Sequence, residues 1–409
     1  MERLYWNNDW KFAETWEEAM KEAVYPENEM EDVRLPHTCK ELPYHYFDEH
    51  AYQMLCGYRR HFMAPEAWQG KSVELTFEGV AHDAVVYVNG TEVKAHHCGY
   101  TAFSVELAKY LKYGEDNVLA VRVDSRENLN IPPFGYAIDY MTFGGMYREV
   151  YVQVRNKTHL ADVFVKPQIH PLQVTTEITV QNISDGITLQ QEIRKKGEGA
   201  YSPLGQKPVK QTNVQTVFPV QEICLWEPEN PHLYEIRTSL WKNGEMIDAR
   251  VDITGFREAG FRKDGFYLNG KKLRLRGLNR HQSYPYVGYA APASMQIFDA
   301  DILKKELGVN AVRTSHYPQS QDFIRRCDEI GLLVFTEFPG WQHIGDEEWK
   351  RQAVQNLKEM IVQYRNHPSI ILWGVRINES QDDDVFYRET NRAVSYTHLR
   401  AHETRGNLV

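Results

Sequence analysis

The sequence is poor in cysteine and contains no long apolar run. None of its five cysteines lies in a Cys-x-x-Cys pair, and all are far apart: Cys39, Cys56, Cys98, Cys224 and Cys327. This number and spacing disfavour a disulfide framework or a thiolate zinc site. The longest apolar segments fall far short of the roughly 20 residues that cross a bilayer, and the first ten residues lack signal-peptide features. We therefore expect a cytoplasmic protein without a membrane partner.

Positively charged residues are outnumbered by negatively charged ones. The chain has 47 Lys and Arg against 56 Asp and Glu, a net charge of −9, which disfavours nucleic acid as a partner. Hydrophobic residues make up 42% of the 409 positions and charged residues 25%, as in folded proteins. The aromatic share of 12% favours β-rich domains and carbohydrate-stacking surfaces, although core packing uses the same residues. The length predicts two to four domains.

The first 255 residues show the pattern of two antiparallel sandwiches. Segments 73–78 and 84–88 alternate apolar and polar residues, and the second runs into Asn89-Gly90, a strong hairpin signal. A second set of strands begins near residue 158. Its strand at 234–241 enters another Asn-Gly hairpin at 243–244, and its length fits one immunoglobulin-like sandwich.

From about residue 256 the periodicity changes to alternating strands and helices. The predicted strands are 273–278, 310–313, 332–335 and 369–373. The predicted helices are 295–307, closed by Gly308, then 321–330, closed by Gly331, and 347–365. Four βα units in succession with short connections predict a parallel sheet.

Polar residues follow each of these four strands. They are Asn279, Arg280 and His281, then Thr314, Ser315 and His316, then Glu337, and finally Asn378 and Glu379. The carboxyl ends of the strands carry the active site in βα barrels, so we expect these side chains to converge. One polar residue after a strand is ordinary, whereas four strands in a row favour a functional site.

Several motifs resemble those of one enzyme family. Residues 373–380 (WGVRINES), which follow RNHPSI at 365–370, resemble the acid/base motif of family 2 glycoside hydrolases, and the chain looks closest to the β-galactosidase branch. The other matching motifs are LPHT at 35–38, FEGV at 77–80, FGGMYR at 143–148, GLNRH at 277–281 and NAVRTSHYP at 310–318. The resemblance covers residues 1–394.

This resemblance implies a multidomain fold and a reaction. It assigns 1–157 to a sugar-binding jelly-roll domain, 158–255 to an immunoglobulin-like sandwich and 256–394 to the first half of a (β/α)₈ TIM barrel; 395–409 resemble a non-native tail. The implied function is a retaining β-glycosidase that hydrolyses terminal β-linked sugars, most closely a β-galactosidase. The alternatives are a β-glucuronidase and a non-catalytic carbohydrate-binding protein.

The resemblance also implies roles for individual residues. Glu379 matches the general acid/base, which protonates the leaving oxygen and then activates water. Asn378 matches a residue that holds the sugar 2-hydroxyl, and the remaining substrate-binding candidates are His281, His316, Asp139 and Arg313. The alternatives are a structural role in a loop for His281 and His316 and in a turn for Asp139. Glu337 is either a ligand at the end of the third strand or a structural salt-bridge partner.

Three features depart from the family pattern. The spacing from Trp373 to Asn378 is one residue longer than usual, which predicts a bulge at that strand end. Gly340 and Gln342 stand where the β-galactosidase branch often has magnesium ligands, so we expect no cofactor and keep magnesium only as the alternative. In the family, the nucleophile is a second glutamate far downstream of the acid/base residue, so we expect it to be absent here and this chain to be inactive. The complete enzyme could be a homo-oligomer.

Overall fold

A computed structural model describes residues 3–45, 48–135 and 137–397, without the side chains of 396 and 397. Of the tail predicted at 395–409, only 395–397 are described, at the end of the last helix, and the rest lies outside the described residues. Within the described ranges, no helix combines the length and the apolar composition needed to cross a membrane.

The amino-terminal region is a sandwich of two antiparallel sheets. Its strands are Leu4–Tyr5 (β1), Trp10–Ala13 (β2), Glu31–Val33 (β3), Leu55–Met63 (β4), Ser72–Phe77 (β5), Asp83–Val88 (β6), Thr91–His96 (β7), Phe103–Glu106 (β8), Asp116–Asp124 (β9) and Val150–Arg155 (β10). The sheet orders are β1-β10-β5-β8 and β3-β2-β4-β9-β6-β7, and alternate residues such as Leu75 and Val121 fill the core. Asn89 and Gly90 adopt φ of 50° and 83° between β6 and β7, which confirms the predicted hairpin.

A second, smaller sandwich follows. Its strands are His159–Gln168 (β11), Gln173–Gln181 (β12), Ile187–Lys195 (β13), Ser202–Pro208 (β14), Asn213–Pro219 (β15), Tyr234–Lys242 (β16) and Glu245–Thr254 (β17). They form sheets of order β11-β12-β15 and β14-β13-β16-β17, with a separate core that includes Leu189 and Ile236. The second Asn-Gly hairpin, at Asn243 and Gly244, joins β16 to β17 as predicted.

The carboxyl-terminal region contains the parallel sheet. A small antiparallel sheet comes first, made of Ala259–Arg262 (β18), Gly265–Leu268 (β19) and Lys271–Leu273 (β20). The parallel strands, adjacent in chain order, are Gly277–Arg280 (β21), Ala311–Thr314 (β22), Leu333–Glu337 (β23) and Ile370–Gly374 (β24). The helices are Ala293–Asp301 (α1, continued by a π-helical turn at Ile302–Glu306), Gln321–Ile330 (α2), Glu347–Tyr364 (α3) and Asp384–Thr397 (α4). This is the half-barrel that the sequence predicted.

Two local predictions were wrong. The strand expected at 273–278 is split, because a third Asn-Gly hairpin at Asn269 and Gly270 folds β20 back onto β19 before β21 begins. The extra residue after Trp373 makes no bulge in the ladder, since β24 ends at Gly374 and the register shift between β23 and β24 lies near their start. The sequence also gave no sign of α4, whose Phe386 is buried beside Trp349 of α3.

Candidate active site

Four polar side chains meet where β22, β23 and β24 end, and we call them the strand-end cluster: Arg313, His316, Glu337 and Asn378. The Arg313 guanidinium donates to Glu337 Oε2 at 2.9 Å and to Asn378 Oδ1 at 2.8 Å through Nη2. The other carboxylate oxygen of Glu337 lies 2.7 Å from His316 Nδ1. Arg313 thus contacts residues that end or follow the next two parallel strands, Glu337 of β23 and Asn378 after β24.

The fold explains why these side chains meet. Arg313 pairs in register with Phe335 of β23, two residues before Glu337 ends that strand. Parallel strands present their carboxyl ends at the same edge, so side chains that follow them converge. Glu337 is only 3% exposed, and burying an isolated carboxylate is costly unless charged groups compensate it. Arg313 and His316 provide that compensation, so the structure supports the salt-bridge interpretation of Glu337.

Glu379 lies at the exposed rim of this cluster. Its backbone adopts a left-handed φ of 55°, and its Oε2 accepts a 3.1 Å hydrogen bond from Gln342 Nε2. The backbone N–H of Gln342 donates to the Asn378 carbonyl at 2.8 Å, so the loops after β23 and β24 are joined at this point. An exposed carboxyl beside this polar cluster is accessible to a bound molecule.

Aromatic rings and His281 form the other side of the site. His281 follows β21, its Nδ1 lies 3.2 Å from the Tyr317 hydroxyl, and its ring centroid is 5.6 Å from that of His316. Partial burial lowers the pKa of His281, and the charge of His316 lowers it further. Tyr140 reaches in from the amino-terminal sandwich, with its ring centroid 5.2 Å from His281, and burial raises its pKa well above 10.

Asp139 enters the same region from the amino-terminal sandwich. It is exposed beside Tyr140, and its negative charge opposes the lowering of the His281 pKa. The structure therefore brings Arg313, His316 and Asn378 into direct contact, with His281 and Glu379 next to them, whereas Asp139 acts on His281 through its charge.

Sequence reasoning assigned no role to Tyr140 or Trp341. Trp341 packs against His316 at 4.8 Å between ring centroids and pairs with Asn378 as an isolated parallel bridge. The available signals were weak: Tyr140 is adjacent to Asp139, and Trp341 stands between the two positions considered for magnesium. Neither residue type alone distinguishes a site wall from a core.

The two positions considered for magnesium do not fit that ion. Gly340 has no side chain, and a Cβ there would lie 2.1 Å from Cδ1 of Ile377, so a larger ligand would collide. Gln342 directs an amide N–H, which is a donor, to Glu379. Magnesium prefers carboxylate oxygens and water, and neither position supplies a carboxylate.

A second acidic group lies between the amino-terminal sandwich and α2, and we call it the junction cluster: Glu78, Glu149 and Asp322. In the described parts of the chain, this is the one group of three such side chains whose oxygens lie within 4.8 Å of one another. Arg3 lies 3.2 Å from Glu78, and Arg325 donates to Asp322. Burial, reinforced by Glu149 and opposed by Arg3, raises the pKa of Glu78 to about 7.

Three family models match consecutive parts of the chain. The model described as "Glycosyl hydrolases family 2, sugar binding domain" matches residues 32–155, and "Glycosyl hydrolases family 2" matches 158–257. The model described as "Glycosyl hydrolases family 2, TIM barrel domain" matches residues 260–406. These matches follow the order of the two sandwiches and the parallel sheet.

Individual proteins show the same similarity. A β-galactosidase of Thermoanaerobacter pseudethanolicus is 48% identical over 396 residues, covering 95% of this chain and 53% of that protein. A β-galactosidase of Thermoanaerobacterium thermosulfurigenes is 46% identical over 400 residues, covering 94% and 55%. The crystal structure of a Bacteroides uniformis β-glucuronidase aligns with a TM-score of 0.84 at 27% identity, covering 97% of this chain and 52% of that one. The chain spans about half the length of these proteins.

Proposed function

Because this chain belongs to family 2 of the glycosyl hydrolases, we propose that the whole protein hydrolyses terminal β-linked sugars with retention of configuration. The observation that carries this proposal is the position of Glu379 next to the strand-end cluster. An exposed carboxyl at the rim is adjacent to Asn378, which Arg313 holds at 2.8 Å. A proton donor thus stands beside a polar group in a fixed position.

In the proposed reaction Glu379 acts twice. It first gives its proton to the glycosidic oxygen as the bond to the sugar carbon breaks, and the bonding electrons leave with that oxygen. It then takes a proton from the water that attacks the same carbon. A second carboxylate, roughly 5–5.5 Å from the first, forms the covalent intermediate in retaining enzymes. We propose that this nucleophile lies in the part of the relatives that extends beyond this chain.

The other candidates bind the sugar in this proposal. Asn378 accepts from Arg313 through Oδ1, which leaves its amide N–H groups for the sugar 2-hydroxyl. His281 and His316 contact neighbouring sugar hydroxyls, and Asp139, which belongs to the amino-terminal sandwich, accepts a hydrogen bond from a further hydroxyl. Arg313 acts by holding Asn378 and Glu337. Tyr140 and Trp341 offer aromatic surface against which a sugar ring can stack.

We propose a β-galactoside as the substrate. The two β-galactosidases at 48% and 46% identity support this choice, whereas the β-glucuronidase aligned in structure is 27% identical. β-Glucuronidase is the second candidate, supported by the TM-score of 0.84 with that enzyme. The five free cysteines, four of them buried, support a cytoplasmic setting. A homo-oligomer of the complete enzyme also belongs to this proposal.

The test is an assay of the protein extended to the length of its relatives. We expect turnover of an aryl β-galactoside well above that of the matching β-glucuronide, with the β-anomer of the free sugar as the first product by NMR. Faster turnover of the glucuronide would reverse the choice of sugar. Sugar binding without any turnover would favour the non-catalytic alternative. The 409-residue chain assayed alongside tests the expectation that it is inactive.

A further inference from the structure

The loops that follow β23 and β24 are held together independently of the Gln342 side chain. The backbone N–H of Gln342 donates to the Asn378 carbonyl at 2.8 Å, and Trp341 and Asn378 form a parallel bridge. Gly340 allows this approach, because a Cβ there would lie 2.1 Å from Cδ1 of the buried Ile377. The place of residue 342 beside Glu379 is therefore a property of the backbone.

The backbone conformations on the two sides are matched. Gln342 has φ of 54° and Glu379 has φ of 55°, and both are long side chains in a left-handed region that such residues seldom occupy. Strained conformations of this kind persist only where the surrounding structure imposes them, and they concentrate at functional sites. Here they accompany a direct contact, in which Gln342 Nε2 donates to Glu379 Oε2 at 3.1 Å.

The chemical character of this partner suits a group that gains and loses a proton. Among the described residues, Gln342 provides the one side-chain hydrogen bond to Glu379, while Arg313 is engaged by Glu337 and Asn378. A cation in that place would favour the ionised carboxylate throughout, whereas a neutral amide supports the carboxylate without adding a charge. An amide N–H on Oε2 also leaves Oε1 as the oxygen that carries the proton.

We propose that Gln342 is a positioning residue for Glu379, and this inference rests on the proposed glycosidase function. The amide holds Oε2, so the proton passes from Oε1 to the glycosidic oxygen as the bond to the sugar carbon breaks. The negative charge left on Glu379 is then stabilised by the same N–H until water returns a proton to Oε1. Gln342 itself neither gains nor loses a proton.

The test replaces Gln342 with Met in the extended protein, which keeps the length of the side chain and removes the amide. We expect kcat for galactosides with poor leaving groups to fall about 10- to 100-fold, the value of one hydrogen bond to a charged group, with KM nearly unchanged. Substrates with activated aryl leaving groups need less proton donation and should lose much less. The alkaline limb of the kcat/KM profile should move to higher pH, because the carboxylate loses a donor that favours its ionised form.

A second variant and a control keep this test decisive. Gln342→Glu places a second carboxyl beside Glu379, so the alkaline limb should move further in the same direction. Gln355→Met removes a similar bond, at 2.9 Å from the exposed Gln355 to Glu359 of α3, and should leave both readouts unchanged. Equal losses for all leaving groups with an unshifted pH profile in Gln342→Met would overturn the positioning role. An inactive unmutated protein would instead overturn the glycosidase proposal itself.

Discussion

The strand-end cluster and the junction cluster each bury a glutamate at the end of a strand, yet they compensate its charge very differently. Glu337 contacts both the Arg313 guanidinium and the His316 imidazole. Glu78 has one arginine at 3.2 Å and shares its surroundings with two further carboxylates, and its pKa rises to about 7. Similar burial therefore accompanies a carboxyl held by an arginine and a histidine in one place and, in the other, a carboxyl whose pKa is raised to about 7.

The largest expected effect concerns the exposed carboxyl at the rim of the strand-end cluster. Glu379→Gln in the extended protein keeps the side-chain shape and removes the proton. We expect kcat for a galactoside with a poor leaving group to fall by about 10²- to 10⁴-fold, with a smaller loss for activated aryl substrates. Asp384→Asn, an exposed carboxyl-to-amide change five residues further on, is the matched control. Equal losses on both substrate classes would contradict the acid/base role.

The second effect tests the compensation of Glu337 directly. Glu337→Gln leaves Arg313 and His316 without their anionic partner, and breaking a largely buried pair costs about 3 kcal/mol in the free energy of unfolding. Chemical unfolding of the barrel region at pH 7, followed by tryptophan fluorescence, measures this change. Glu347→Gln, which removes an exposed pair with Lys350, should shift stability by less than about 0.5 kcal/mol. Similar small shifts in both variants would show that the strand-end pairing is energetically unimportant.

The third effect concerns the pH dependence of stability that Glu78 produces. Its pKa is raised from 4.5 to about 7, so the folded state binds more protons than the unfolded state between these values. The contribution of this group to stability therefore falls as pH rises from about 4.5 through about 7, by about 3 kcal/mol in total.

Glu78→Gln should remove this slope, because an amide does not titrate. Unfolding midpoints of the unmutated protein and the variant at pH 5 and pH 8 provide the measurement, and their difference should change between the two pH values in favour of the variant at pH 8. The distinction between the two clusters fails if both proteins show the same dependence on pH.

The smallest expected effect concerns Asp139, which is exposed and contributes charge to the site. Asp139→Asn in the extended protein should lower kcat/KM by about 10-fold, because one hydrogen bond from a sugar hydroxyl to a charged oxygen is lost. The Tm should stay the same, since the side chain is exposed. An unchanged kcat/KM would remove Asp139 from the sugar site and leave it as a turn residue.

Much of the fold was predictable because its signals are local. The Asn-Gly hairpins at 89–90 and 243–244 and the glycine that ends α2 depend on positive φ, which few residues adopt easily. The buried face of α3 follows from apolar residues at helical spacing. The strand at 273–278 was predicted wrongly, because the competing hairpin at Asn269 and Gly270 was not recognised. Helix α4 has mixed polarity and is stabilised by packing against α3.

The sequence by itself determined the element types, the family motifs and the candidates that follow each parallel strand, because these depend on residues close together in the chain. Only the tertiary structure decided how those candidates are paired. Glu337 joins Arg313 and His316 across two strands, Tyr140 enters from a different domain, and Gln342 reaches Glu379 across 37 positions. Such contacts depend on strand register, on the packing of Gly340 against Ile377 and on loop conformation, and none of these is encoded by neighbouring residues alone.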